Sequence, residues 1–373
     1  MASDAGSRKK TEFIPRKPAM AAARNFRISR RSQARMNKST PCDRFDAFRI
    51  HSDASGYRAG FERISLDDLT PGNVTVRVAW SSVNYKDALA ATGRGKILRR
   101  FPLVGGIDLA GHVVDSSDAR YRSGDAVLVT GCGLGETRDG GYAEFARVAA
   151  DDVIALPAGM TLRETMILGT AGFTAGLALL RMQQNGQHAG LGPLAITGAS
   201  GGVGMLAVAI FARAGYSVHA ISGKPEHADF LRQIGATEVL PRTTLPAQSR
   251  ALESVRFGGA LDTVGGPALA TLLACCAPHG NVACCGLVAS ATLDSTVMPF
   301  ILRGVSLLGI ASTDTPHAQR MSVWQHLASD WRPHALETIA TRAIDFAQLP
   351  GVFAGYLAGQ AFGRTVVRVA GDA

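Results

Sequence analysis

Beyond residue 45 the chain carries two kinds of hydrophobic spacing. From Phe45 to about Leu156 apolar residues fall in short alternating runs separated by turn signals. Val74-Thr-Val-Arg-Val-Ala-Trp80 alternates, 109–114 follows a glycine pair, and Ala126-Val-Leu-Val-Thr130 comes after Ser123-Gly124-Asp125. Period-two alternation bounded by such residues predicts a small β-rich domain. From about Leu168 to Ser312 the pattern changes to strands alternating with helical stretches. Helices are expected over 170–182, 203–213 and 228–234. Strands are expected over 194–197, 218–221, 239–240, 259–262, 281–285 and 305–310. That order predicts a doubly wound parallel sheet, so the fold class is α/β. The stretch 352–369 ends in Arg364-Thr-Val-Val-Arg-Val369, a strand expected to return to the first domain. The expected organisation is a basic extension over 1–44, a β-rich domain over 45–168 completed by 313–373, and the doubly wound domain over 169–312.

The string Leu194-Ala-Ile-Thr-Gly-Ala-Ser-Gly-Gly-Val-Gly204 runs from a buried-strand pattern through a glycine turn into an apolar helix. This is a dinucleotide site in outline. Gly201 lets backbone approach a pyrophosphate, Gly204 lets helix pack close to strand, and the helix N-terminus offers free N–H groups. Ala199 stands where the usual fingerprint has its first glycine, and a glycine-rich turn without a ligand remains the alternative. About twenty residues on, where an acidic residue would bind the ribose of NAD, the chain has Ser222-Gly223-Lys224, with Arg242 after the next strand. A hydroxyl and two cations suit a 2′-phosphate, which favours NADPH over NADH. The alternative is that Lys224 is a solvated surface lysine.

Charge changes the picture less than its total suggests. The net charge of +9 lies within residues 1–44, which hold twelve Lys or Arg against Asp4, Glu12 and Asp43. The remaining chain is neutral, so nucleic acid is not an expected partner. The basic start reads as disordered, lacks the apolar core of a secretory signal, and partly resembles a transit peptide interrupted by Pro15 and Pro18. An over-extended start is the favoured account, because Met20 and Met36 both precede the folded pattern. No run is expected to span a membrane. Of six cysteines none forms a C-x-x-C pair, and the doublets Cys275-Cys276 and Cys284-Cys285 read as small buried residues. Reduced thiols suit a cytoplasmic protein.

Several ordered stretches resemble the medium-chain dehydrogenase/reductase superfamily, and within it the zinc-independent acrylyl-CoA reductase subgroup, which also includes quinone oxidoreductase-like proteins. They are Trp80-Ser-Ser-Val-Asn-Tyr-Lys-Asp-Ala-Leu89, Gly106-Ile-Asp108, Gly169-Thr-Ala-Gly-Phe-Thr-Ala175, Thr197-Gly-Ala-Ser-Gly-Gly-Val-Gly204, Val239-Leu-Pro-Arg242, Leu261-Asp-Thr-Val-Gly265 and Thr296-Val-Met-Pro-Phe-Ile-Leu-Arg303. The resemblance implies a GroES-like β domain split by a Rossmann domain, and NADPH-dependent reduction of the double bond of a short 2-enoyl-CoA. It implies that Tyr85 touches the cofactor near the nicotinamide, and that Ser200, Gly201, Gly202, Val203 and Gly204 hold the pyrophosphate. Ser222, Gly223, Lys224 and Arg242 would hold the 2′-phosphate end, while Leu287, Ile301 and Ser312 would line the nicotinamide side. It also implies a homodimer formed along the strand near 305–310, an apolar edge that needs cover. Gly105 and Gly359 depart from the family pattern, where a proline and an asparagine are usual. Zinc-dependent relatives carry a cysteine near Asn84-Tyr85, a Gly-His-Glu motif near residue 106 and a four-cysteine lobe. This chain has none of these, so no metal is expected.

Without a Lewis acid, hydrogen bonds must polarise the substrate carbonyl. An enoyl thioester suits that arrangement, because hydride at Cβ places negative charge on the thioester oxygen, where preorganised donors can stabilise it. Tyr85 is the candidate donor, of a hydrogen bond and of the Cα proton, with simple packing on the nicotinamide as the alternative. Lys86 and Asp87 are expected to be structural. Arg94-Gly-Lys-Ile-Leu-Arg-Arg100 is a candidate contact for the phosphates of coenzyme A, or else a solvated charge run. Two other functions are open to the same residues: reduction of a quinone or small enone, and NADPH binding without catalysis.

Overall fold

The computed structural model describes residues 44–370 apart from 247, 249 and 335. The basic start before Arg44 lies outside the described residues.

Six short strands form an all-parallel sheet in the order Glu238–Pro241, Val218–Ser222, Leu194–Thr197, Gly259–Asp262, Asn281–Cys284, Ser306–Gly309. Apolar side chains cover both of its faces. One cluster includes Leu194, Ile196, Val208 and Phe211, and another includes Leu272, Leu273, Val282 and Val305. The chain order reverses between Leu194–Thr197 and Gly259–Asp262, which are neighbours in the sheet although two strands further apart in sequence. Loops leaving the carboxyl ends of two such strands diverge and leave a crevice.

The rest of the described chain forms a seven-stranded sheet around Val74–Val83 and a three-stranded sheet around Phe45–Asp53. The C-terminal strand Thr365–Arg368 pairs antiparallel with Val74–Val83, so the end of the chain returns to the β-rich region.

Three helices position the cleft: α1 (Tyr85–Thr92), α2 (Leu162–Gln184) and α3 (Gly202–Arg213). Helix α2 begins eight residues before the expected start. Thr161 accepts from the backbone N–H of Glu164, whose side chain returns to the Thr161 N–H, a capping box that starts the helix. Gly169, at φ 51° and ψ −158°, then breaks the helical path. The helical spacing therefore restarts at Thr170, where the apolar periodicity placed it.

By length and composition α2 could cross a membrane, contrary to the expectation that no segment could. Most of it is buried inside the protein. It packs on α3 and on the strands Val74–Val83 and Asp108–Ser116, and Phe173 stacks on Trp324.

Candidate active site

A cleft of about 640 Å³ opens at the crevice between Leu194–Thr197 and Gly259–Asp262, lined by the residues that leave those strands, Gly198, Thr263 and Val264. The glycine turn forms its floor. Gly198 takes φ +58°, so the left-handed position belongs to this residue, one before the Ala199 to which the fingerprint assigned the substitution. Ala199 is buried, and its N–H donates to Ile221 O. A Cβ on Gly204 would overlap Gly198 O and lie 2.7 Å from Ala199 Cα, both backbone atoms that cannot swing aside. Helix α3 therefore sits hard against the turn, and its first N–H groups face the cleft without intrahelical acceptors.

Of the candidate residues, Tyr85, Ser200, Gly201, Gly202, Val203, Gly204, Lys224 and Ser312 line this cleft. Ser222, Gly223 and Arg242 line an adjoining cavity with Lys224, which borders both. Ser222 Oγ donates to Ser200 Oγ at 3.2 Å and accepts from the Lys224 N–H at 3.1 Å, tying the second strand to the glycine turn. A Cβ on Gly223 would meet Arg242 Cδ at 3.1 Å, so glycine lets the arginine lie close. A 2′-phosphate seated there would meet a hydroxyl, an ammonium and a guanidinium. Lys224 Nζ donates to Gly359 O at 2.6 Å across the cleft. Gly359 has φ +68° and open space at its Cβ, so the departure from the usual asparagine leaves a gap.

Two candidates are not brought into the cleft. Leu287 is 67% exposed and lines a smaller neighbouring cavity. Its neighbour Val288 reaches the cleft instead. Ile301 is 72% exposed on the short helix Met298–Arg303 and lines neither cavity. That helix buries Pro299 and turns Ile301 outward.

The opposite wall is made of side chains. Asp108 is fully buried. Its Oδ1 accepts from the Thr170 N–H at 2.9 Å and Thr170 Oγ1 at 2.6 Å, and its Oδ2 from Ser82 Oγ at 2.6 Å and Asn84 Nδ2 at 2.8 Å. Arg364, also buried, lies 4.0 Å from that carboxylate. Its guanidinium donates to Ile167 O, Val83 O, Asn84 Oδ1 and Ser82 Oγ. A Cβ on Gly169 would fall 2.6 Å from Asp108 Oδ2 and 2.9 Å from Arg364 Nη2, so the kink in α2 is what admits the pair. In the first turn of α1, Asp87 accepts from the N–H groups of Asn84 and Ile107. Burial, reinforced by the nearby Asp108, pushes its carboxyl up to about 7. Lys86 pairs with Glu136 at 2.8 Å on the cleft rim.

Tyr85 is the first residue of α1, 45% exposed, and its hydroxyl makes no hydrogen bond among the described residues. Across the cleft, Thr174 Oγ1 donates to Ser312 Oγ at 2.9 Å. The buried Arg320 fixes the Ser312 loop. It donates to Thr130 O, Ser312 O, Thr313 O and Thr315 O, with its guanidinium 4.8 Å above the Phe173 ring. Asn84, Thr170, Thr174, Val288, Arg320 and Arg364 were absent from the sequence-based candidates. Asn84, Thr170 and Thr174 stand inside motifs that carry the family resemblance and Arg364 opens the C-terminal strand run, whereas nothing local marks Arg320. Among the described residues no group of three or more His, Cys, Asp or Glu side chains could hold a metal ion.

Residues 70–158 match the alcohol dehydrogenase GroES-like domain family, and residues 202–329 match the zinc-binding dehydrogenase family. The chain is 45% identical over 313 residues to the acrylyl-CoA reductase AcuI of Ruegeria pomeroyi, covering 84% of this chain and 94% of that protein. The yhdH oxidoreductase of Salmonella enterica, solved in complex with NADP, superposes with a TM-score of 0.84 at 44% identity, covering 87% of this chain and 99% of that one. The Bacillus subtilis protein yhfP, solved with NAD bound, gives a TM-score of 0.84 at 42% identity with the same coverage. The chain belongs to the medium-chain dehydrogenase/reductase superfamily and, within it, to the acrylyl-CoA reductase subgroup.

Proposed function

We propose that this protein reduces the 2,3 double bond of a short 2-enoyl-CoA, of the acrylyl-CoA to propanoyl-CoA type, with NADPH and without zinc. The observation that carries this reading is the meeting, in one cleft, of a glycine-built phosphate cradle with the unpartnered Tyr85 hydroxyl. Similarity along most of the chain to an acrylyl-CoA reductase supports the substrate class. The NADP of the Salmonella structure supports the cofactor, and so do Ser222, Lys224 and Arg242, where no carboxylate competes for the ribose.

When bound, NADPH would supply a hydride to Cβ. The residues that would hold it are Ser200, Gly201, Gly202, Val203 and Gly204 at the pyrophosphate and Ser222, Gly223, Lys224 and Arg242 at the 2′-phosphate. Ser312 and Val288 would stand beside the nicotinamide. The chain's own chemistry falls on the opposite wall. Tyr85 would donate a hydrogen bond to the thioester oxygen as negative charge gathers there, and its free hydroxyl is the candidate to protonate Cα. Asn84, with both ends of its amide held by Asp108 and Arg364, fixes the start of α1 and so the position of Tyr85.

Three further features belong to the proposal. A zinc-independent site is supported by Asn84, Tyr85 and Asp108 standing where metal ligands would be needed, with Asp108 already saturated by donors. A homodimer is supported by the edge strand Ser306–Gly309, which has one sheet neighbour, and by the exposed Val297, Ile301 and Leu302 beside it. A cytoplasmic location, away from membranes and nucleic acid, is supported by the free cysteines and the neutral folded body.

The test is NADPH oxidation by the purified protein with acrylyl-CoA, compared with a quinone. Rapid oxidation with the enoyl-CoA alone is expected. Turnover with the quinone alone would transfer the protein to quinone reduction.

A further inference from the structure

Arg94, Lys96, Arg99 and Arg100 lie between α1 and the strand Leu103–Val104, and all four are exposed. None of their side chains makes an ion pair or hydrogen bond among the described residues. Arg58, Arg120, Arg138, Arg163, Arg332 and Arg368 pair with carboxylates, and the exposed arginines that share the lack of a side-chain partner, such as Arg77, Arg122, Arg213 and Arg342, are scattered along the chain rather than clustered. In a folded body with no net charge, four unpaired cations within seven residues are a local excess.

The excess is fastened to the cleft. The Arg99 N–H donates to Glu136 O at 2.8 Å, while the Glu136 carboxylate is already taken by Lys86, and both Glu136 and Lys86 line the rim. Leu98 is buried between the cations, and Gly95 sits against Leu89 of α1, so the backbone presenting them is anchored to the helix that carries Tyr85. Phe101 follows directly. It is 38% exposed and stands edge-on to Tyr57, leaving an aromatic face beside the arginines.

Guanidinium forks match phosphate oxygens in pairs, and an aromatic face stacks a nucleobase. We infer that the segment holding Arg94, Lys96, Arg99 and Arg100 docks the phosphorylated adenosine end of the substrate's coenzyme A handle. This rests on the enoyl-CoA reading above. It is separate from the Lys224–Arg242 cavity, which would serve the cofactor phosphate. The handle binds outside the cleft, and the acyl group is led past Lys86 toward Tyr85.

The experiment compares wild type with the double variant Arg99→Glu/Arg100→Glu on two substrates, acrylyl-CoA and S-acryloyl-N-acetylcysteamine, a thioester without the nucleotide. Exposed cations contribute modestly one by one, so reversing two should raise KM for acrylyl-CoA by about tenfold. The preference of the wild type for the CoA ester over the short thioester should shrink by the same factor, with KM for NADPH unmoved. Adenosine 3′,5′-bisphosphate, competing against acrylyl-CoA, should inhibit wild type and lose potency in the variant. An unchanged KM for acrylyl-CoA, or an equal rise for both thioesters, overturns the docking site while leaving enoyl-CoA reduction standing. If wild type oxidises NADPH with neither thioester, the enoyl-CoA reading falls and the docking site falls with it.

Discussion

Gly198, Gly201 and Gly204 on one side of the cleft and Asp108, Asn84 and Arg364 on the other are held in place by opposite means. The glycine wall is backbone packed against backbone: Gly204 has no side chain because Ala199 Cα and Gly198 O already fill the space. The facing wall is side chain bonded to side chain, with Asp108 taking four hydrogen bonds from Ser82, Asn84 and Thr170. The first arrangement leaves backbone N–H groups free for a ligand, and the second leaves almost no polar atom free. Ligand affinity should therefore reside mainly in the first wall and rigidity in the second, with Tyr85 as the second wall's free polar group.

Breaking the side-chain wall should have the largest effect. Asp108→Ala strands the buried Arg364 without its carboxylate and removes the acceptor of three side chains, at a cost of about 3–5 kcal/mol of stability. Thermal or urea unfolding would measure it. Breaking the glycine wall should act on binding more than on folding. Gly204→Ala should weaken NADPH by about 100-fold, read by fluorescence titration, with a smaller stability loss of about 1–3 kcal/mol from overpacking. A larger loss of stability than of cofactor affinity in Gly204→Ala would erase the distinction between the walls.

Titration sharpens the same contrast, because the side-chain wall stores a proton. Burial and Asp108 raise Asp87 from 3.8 to about 7. Between those values the folded protein holds a proton that the unfolded chain has released, so stability falls as pH rises through this window and levels off above it. Burial raises Asp262 in the same direction. Carboxyls held low by hydrogen bonds, such as Asp53 and Glu164, exert the opposite slope only below their ordinary values. Unfolding free energy should thus decline from pH 5 to pH 7, and Asp87→Asn should flatten that decline. The smallest effect expected is from Tyr85→Phe, which keeps the ring and removes the hydroxyl. It should lower kcat by about tenfold, the worth of one hydrogen bond to developing charge, with NADPH affinity unchanged. An unchanged kcat would reduce Tyr85 to a packing residue.

The two walls also differ in how far the sequence discloses them. The glycine wall is local: strand, turn and helix lie within twenty residues, so spacing alone located Gly201, Gly204 and the Ser222 to Lys224 run. Even there the left-handed turn falls at Gly198, one residue before the first position of the fingerprint. The side-chain wall joins partners 62 and 282 positions apart, Thr170 with Asp108 and Arg364 with Ser82. No periodicity reports such pairings. Leu287 and Ile301 fall outside the cleft lining for a related reason. Beyond Cys284 the chain leaves the sheet in a loop whose path is set by what it packs on, and Val288, one residue further and itself 72% exposed, borders the cleft in place of Leu287.

The most direct test of conjugate reduction in this cleft is the isotope pattern of the product formed in D2O. With NADPH and acrylyl-CoA, the propanoyl-CoA formed should carry one solvent deuterium at Cα and none at Cβ, read by NMR. Solvent deuterium at Cβ, or a product with none at Cα, would contradict it.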